Sequence, residues 1–530
     1  MSKNSFLKGA VVLGVAGLIV KILGAFFRIP LGRLITSEGM GYYQTAYPIY
    51  VLLLSISTSG FPIAISKMVS ERRAVGNYKG AHRVFTITLK ILLVLGLLTF
   101  SIFFFGARII VNALNNPNAY YSMVALAPAL LFVPIMAAYR GYFQGRNNMT
   151  PTAVSQIIEQ SARVGFGLIL AYFLMPKGLD YAAAGGSFGA TAGAIFGMAF
   201  ILFVYYINKP KIEKELLKSE DFEEESYKVI IKSMLTIALP IIIGASVMPI
   251  MNMIDVSIVI NRLMASGYSQ SEANALYGQL TGMAATLINL PQVLTMSIAM
   301  SIVPVVSQAY ALRDMESVKE NANLSVRMAV LLGLPSGVGL MVLATPIMQL
   351  LYPNEPASIG QILFFMSLGV VFLSLIQTLT GILQGLGKSQ IPVMNLFIAA
   401  IFKLVCTYTL TSIPSLNVKG AAIGTVLAYM IAAGLDIYWV RKLLNIKFDI
   451  NHLLIKPLLT AAIMGVVAKL THMGLTDKLG NSLSTVIAIV LAMIVYVVVL
   501  ILIGGITKEE IEKLPKGKKL SKFIPSKNKS

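Results

Sequence analysis

Apolar runs of about 20 residues recur from Phe6 to the neighbourhood of Gly505, and the stretches between them are too short to fold by themselves. In a bilayer the backbone must satisfy its own hydrogen bonds, which leaves helices or closed barrels. Barrel strands would be shorter and would alternate apolar with polar residues; these runs do neither. The chain is therefore read as an all-α polytopic membrane protein. Composition agrees, since 56% of its 530 residues are hydrophobic and 12% charged, against about 25% charged in soluble domains. About fourteen transmembrane helices are expected, near 6–31, 41–67, 84–113, 120–143, 151–175, 181–207, 229–262, 276–307, 324–351, 359–384, 390–411, 418–441, 452–472 and 482–505.

The net charge of +20 would suit nucleic acid, but the basic residues lie in short loops and in the tail, where the positive-inside rule wants them. Arg72, Arg73, Lys79 and Arg83 fill one loop; Lys209, Lys211, Lys214, Lys218 and Lys228 fill another. Alternate loops are nearly bare, so both termini are expected on the cytoplasmic side of a bacterial plasma membrane. Lys3 and Lys8 ahead of an apolar run imitate a signal peptide, but Lys21 interrupts the place of cleavage, and the segment reads as an uncleaved first helix. One cysteine, Cys406, allows no internal disulfide, and His82, His452 and His472 are too scattered for zinc.

Charge inside the apolar runs points to function, because an ionised group in hydrocarbon normally faces a wet cavity or a partner. Lys21 and Arg28 stand seven residues apart in the first span. At about 100° per residue they share one helical face, as a basic stripe on a pore-lining helix would; the alternative is that both snorkel. Asp255 and Arg262 repeat that spacing in the seventh span. Glu159 and Arg163, four apart, suit an intrahelical ion pair that is either structural or part of coupling. Lys403 has no acid one turn away on either side. Asn289 and Gln292 flank Pro291, where a helix break frees a carbonyl that needs a donor. The cluster Glu220 to Glu225 reads as a solvated part of a connector.

An internal repeat is visible. Gly141-Tyr-Phe-Gln144-Gly145 ends the fourth span, and Gly381-Ile-Leu-Gln384-Gly385 ends the tenth. Each half continues into a run rich in small residues, from Ala182 and from Gly420, which lets helices approach closely. The expected organisation is a six-helix lobe at 1–208, a charged connector at 209–228, a second six-helix lobe at 229–443, two further helices at 444–506 and a basic tail at 507–530.

The chain carries no D-x-D, H-E-x-x-H, G-x-S-x-G or P-loop element, so transport is a better reading than catalysis, and no cofactor is expected. The F-L-K-G-A…K-I-L-G-A-F-F-R-I-P start, the run from Ser57 to Glu71 and V-S-Q-I-I-E-Q-S-A-R at Val154 to Arg163 resemble the polysaccharide-biosynthesis branch of the MOP exporter superfamily. That branch includes MurJ-type lipid II flippases and the stage V sporulation protein B group. The resemblance implies two six-helix lobes in a V around a cationic central cavity, which carry an undecaprenyl-pyrophosphate-linked sugar to the outer leaflet by alternating access.

It also implies that Lys21 corresponds to a basic position of the first-helix motif, with Arg28 one residue beyond the second. Asp255 fits the seventh-span aspartate and is the candidate for coupling to a cation or proton. Family arginines near Thr286 and ahead of Gly60 have no counterpart here. The expected cavity residues are thus Lys21, Arg28, Asp255, Arg262, Asn289 and Gln292, and the expected partners are a lipid-linked sugar pyrophosphate, membrane lipids and cell-wall synthesis machinery. Three other readings stay open: a flippase for another polysaccharide repeat or spore-cortex precursor, which would share every feature; a cation-coupled drug exporter, against which the basic stripe argues; and a non-transporting cell-wall or spore scaffold.

Overall fold

A computed structural model describes residues 3–220, 222–446 and 448–505, with side chains from Val12 onward. The basic tail at 507–530 and Asp221 lie outside the described residues. The chain forms two compact units, 1–283 with 411–418, and 284–410 with 419–530. The first holds α1 (Lys3–Thr58), α2 (Phe61–Ala74), α3 (Tyr78–Ala113), α4 (Tyr120–Leu126), α5 (Ala129–Gly145), α6 (Thr150–Leu174), α7 (Leu179–Leu217), α8 (Tyr227–Ala265) and α9 (Gln270–Gly278). The second holds α10 (Ala285–Asn289), α11 (Gln292–Ala311), α12 (Met315–Val342), α13 (Ala344–Leu351), α14 (Ile359–Ser367), α15 (Gly369–Gly385), α16 (Gln390–Thr411), α17 (Val418–Leu444) and α18 (Lys456–Leu502).

Among the described residues, twelve segments are long and apolar enough to cross a membrane. Two of these are pairs of spans. In α1 the chain breaks at Thr36 (φ 58°), and the Phe27 ring comes within 6.4 Å of Tyr43 on the returning arm. A β-branched residue at positive φ is strained; fully buried Leu31, Ile35 and Met40 hold the turn. In α18 the break falls at Gly480 (φ 72°), where glycine adopts that conformation without strain. These two breaks resolve the twelve segments into the fourteen spans read from hydropathy. Many helix faces are apolar and exposed, as at Phe105, Ile109 and Leu502. Surfaces of that extent are stable in lipid rather than water.

The repeat is a packing repeat. Gly141 of α5 abuts Pro62 and Ile65, and Gly145 abuts Val69 and Ser66, all on α2. In the second unit Gly381 of α15 abuts Ala299 and Ile302, and Gly385 abuts Val306 and Val303, all on α11. The same two glycines a turn apart bring a partner helix to backbone contact in each unit. Around the first pair lies a core of Phe61, Ile65, Met68, Phe85, Tyr142, Met234 and Ala238, among others.

The run of small residues after Ala182 does similar work. A Cβ on Gly185, Gly189 or Gly193 of α7 would come within 2.7, 2.5 and 2.5 Å of the α6 backbone, at Ala171, Arg163 and Glu159 respectively. A four-residue glycine stripe therefore presses α7 onto the part of α6 that carries Glu159 and Arg163.

Candidate functional site

The first unit contains a cluster of cations and tyrosines built by four helix segments. On the second arm of α1, Tyr43, Tyr47 and Tyr50 follow at intervals of four and three and so share one face. Their rings are 5.4 and 6.0 Å apart in succession. Arg28, on the first arm, places its guanidinium carbon 5.5 Å from the Tyr47 ring centre, within the range of a cation–π contact. Arg163 approaches from α6, and both arginines act electrostatically on Tyr47. Glu159 lies between Arg163, at 3.6 Å, and Arg140 of α5, at 3.0 Å. Arg140 Nε also donates to Ser155 Oγ at 2.8 Å.

The expected Glu159–Arg163 pair is thus present, but the carboxylate is shared with Arg140, which the sequence reading did not select. Arg28 is half-buried among these residues, whereas Lys21, two turns earlier, is exposed on the surface of α1. The two cations expected on one face therefore differ in exposure, Arg28 being half-buried at Tyr47 and Lys21 exposed.

Asp255 of α8 is 6% exposed and acts electrostatically on Tyr277. The Tyr277 hydroxyl donates to the Gln44 carbonyl at 3.2 Å, and Gln44 Nε2 donates to the Thr281 carbonyl at 2.5 Å. Nearby, fully buried Asn116 donates to Thr45 Oγ1 at 2.8 Å and to Asn274 Oδ1 at 2.7 Å, while Asn274 donates to the Glu38 carbonyl at 2.7 Å. These bonds tie α9 and the end of α3 to α1. Arg262 stands in the last turn of α8, where a cation complements the carbonyl end of the helix.

In the second unit the helix break expected at Pro291 separates α10 from α11. Gln292 Nε2 donates to the Ile288 carbonyl at 3.3 Å and to Asn289 Oδ1 at 3.0 Å, supplying the donor that the break requires. Gln377 of α15 donates to Gln292 Oε1 at 3.1 Å and accepts from Thr295 at 2.7 Å. Lys403 is 1% exposed on α16. The same helix carries Asn395, whose amide donates at 2.7 Å to Asp436 on α17. Asp436 is fully buried, and it was not among the residues singled out from the sequence.

The connector is not a freely solvated strip. Arg72 holds Glu225 through two bonds of 2.9 and 2.6 Å, and Glu215 is shared by Arg73 at 2.6 Å and Arg146 at 2.9 Å. Arg83 pairs with Glu224. The loop arginines that the positive-inside rule requires thus also pair with Glu224 and Glu225 of the solvated acidic cluster. Among the described residues no group of histidine, cysteine and carboxylate side chains could hold a metal ion.

Residues 6–310 match the family described as polysaccharide biosynthesis protein, and residues 240–409 match MatE. Stage V sporulation protein B of Bacillus subtilis (strain 168) is 28% identical over 520 residues, covering 97% of this chain and 98% of that protein. Lipid II flippase MurJ of the same organism is 28% identical over 491 residues, covering 88% and 89%. Among solved structures, lipid II flippase MurJ in an inward closed conformation superposes with a TM-score of 0.69 at 17% identity, over 92% of this chain and 98% of that one.

Proposed function

Because this chain belongs to the polysaccharide biosynthesis protein family, within the MOP superfamily of transporters, we propose that it moves an undecaprenyl-pyrophosphate-linked cell-wall precursor of the lipid II class from the inner to the outer leaflet. The observation that carries this reading is Lys21, a cation exposed in the apolar first arm of α1, on the helix that also bears Arg28. A diphosphate headgroup with about two negative charges is the kind of cargo that repays keeping a cation in such a place. Likeness to a lipid II flippase over most of both chains supports the same cargo.

Alternating access requires that the headgroup be held more tightly in one conformation than in the other, since equal affinity shifts nothing. Lys21 and Arg262 would meet the diphosphate, and Asp255 would couple the cycle to a cation or proton. The charge asymmetry of the loops supports cytoplasmic termini. Likeness to stage V sporulation protein B along nearly the whole chain favours a second reading, in which the same chemistry serves the spore cortex.

Complementation tests the proposal. In cells depleted of their resident lipid II flippase, expression of this chain should restore growth and the exposure of lipid II on the outer face. If growth and exposure both fail while the protein is present in the membrane, lipid II is not the cargo. A block in cortex formation on deletion from a sporulating host would then support the second reading.

A further inference from the structure

The arginine–tyrosine cluster of the first unit has more positive charge than its own acid neutralises. Arg140 and Arg163 share the carboxylate of Glu159, and Arg28 adds a third guanidinium at Tyr47, on which Arg163 also acts. Two donors there are unused: Arg163 Nε and the Tyr50 hydroxyl are both buried without a hydrogen-bond acceptor. Tyr50 is 1% exposed and lies within electrostatic range of both Arg163 and Glu159. Buried donors left without acceptors, next to an excess of two positive charges, form a combination that costs free energy on both counts. One species relieves both costs, and it must be an anion.

Size narrows the choice. Tyr43 and Tyr50 are almost wholly buried, and the side chains of Arg140, Glu159 and Arg163 are 13%, 16% and 16% exposed. The glycine stripe of α7 closes the far side of α6 to backbone contact. A diphosphate attached to a lipid could not enter without opening these helices, so the anion must be small.

We propose that the first unit binds a small inorganic anion, of the size of chloride, between Arg163 and Tyr50, with Arg28 and Tyr47 completing its surroundings. The site is distinct from the cargo contacts assigned to Lys21 and stands whether or not the cargo is lipid II. The bound anion accepts from Arg163 Nε and from the Tyr50 hydroxyl, and it offsets the charge that Glu159 leaves uncompensated. It thereby joins the two arms of α1 to α6.

Thermal unfolding of the purified full chain in detergent tests this, with chloride or bromide titrated against gluconate at constant ionic strength. A ligand that binds only the folded protein raises the midpoint with concentration. Both halides should do so and gluconate should not. Tyr50→Phe keeps the ring and removes one donor, and should weaken the apparent halide affinity about tenfold; Arg163→Gln should abolish the effect. Should neither variant fold, anomalous scattering from bromide in crystals of the wild-type protein decides, with a peak between Tyr50 and Arg163 expected. The proposal is overturned by equal midpoints in chloride and gluconate, by a bromide peak elsewhere or none, or by protection from inorganic pyrophosphate but not from halide. It is equally overturned if halide-free protein shows tyrosinate absorption that Tyr47→Phe removes, since the chain would then neutralise itself.

Discussion

Arg140 Nη2 on α5 lies 3.0 Å from Glu159 Oε2 on α6, and the other oxygen of the same carboxylate lies 3.6 Å from Arg163. One acid is therefore divided between two guanidiniums at a depth where all three side chains are largely covered. Removing the acid leaves two like charges facing each other, so Glu159→Gln should destabilise the protein by about 3 kcal/mol. Arg140→Gln in the same chain should recover part of that loss. A double-mutant cycle on detergent unfolding measures the coupling, and an unchanged midpoint for Glu159→Gln alone would show that the pairing adds no stability.

The close approach of α7 to α6 makes a second outcome unequal between two glycines. A Cβ on Gly193 would stand 2.5 Å from the Glu159 carbonyl, whereas Gly165 on α6 has nothing within 4 Å. Alanine gains about 1 kcal/mol of helix propensity over glycine, and overpacking costs about 1–3 kcal/mol. Gly193→Ala should therefore lower the unfolding midpoint and Gly165→Ala should leave it level or raise it.

The connector should loosen without unfolding the rest. Replacing Arg73 and Arg146 together by glutamine strips Glu215 of both its partners. Because these pairs are partly exposed, the loss in stability should be about 1 kcal/mol or less. Limited proteolysis should show faster cleavage at 218–226, and high salt should produce the same change in the wild type. Cleavage at an unaltered rate would mean that the ion pairs do not hold the connector.

Acid should act on the start of α9. The Ser269 hydroxyl and backbone amide both donate to Glu272 Oε2, at 2.7 and 2.9 Å, and these bonds hold its carboxyl below the usual glutamate range. A folded-state pKa below the unfolded one adds stability at pH above the ordinary value, which is about 4.3. That stability is lost as pH falls through the lowered value. Hydrogen exchange at α9, corrected for intrinsic rates, should report more opening on acidification, and Ser269→Ala should flatten the dependence.

Lys21 allows a direct functional test. If it meets the diphosphate, Lys21→Gln should reduce lipid II exposure at least about tenfold, as expected for the loss of a charged contact, while Lys21→Arg retains it. Wild-type exposure with glutamine would remove Lys21 from the pathway.

Local periodicity accounts for what was legible in the sequence. The length of apolar runs set the number of spans. The four-residue spacing of Glu159 and Arg163 put them on one helical face, and Pro291 next to Asn289 and Gln292 announced a break with its own donors. Recurrent glycines at Gly141 and Gly381 marked two halves built alike. Each of these depends on residues within a turn or two of one another, where the helix geometry is already known.

Tertiary structure alone decided which faces meet. Nothing near Arg140 in the chain says that it shares an acid with Arg163, because the helical period gives a direction around an axis and not the neighbour found there. Hydropathy places a break between 31 and 41, but that the turn at Thr36 brings Arg28 to Tyr47 follows only from packing. Asn395 and Asp436 meet across two helices, and the acids of the connector find arginines on α2, α3 and just past α5. Such pairings come from the packing of whole helices, settled by buried apolar area and close backbone contact summed over many residues, and charged side chains then take the partners that packing leaves within reach.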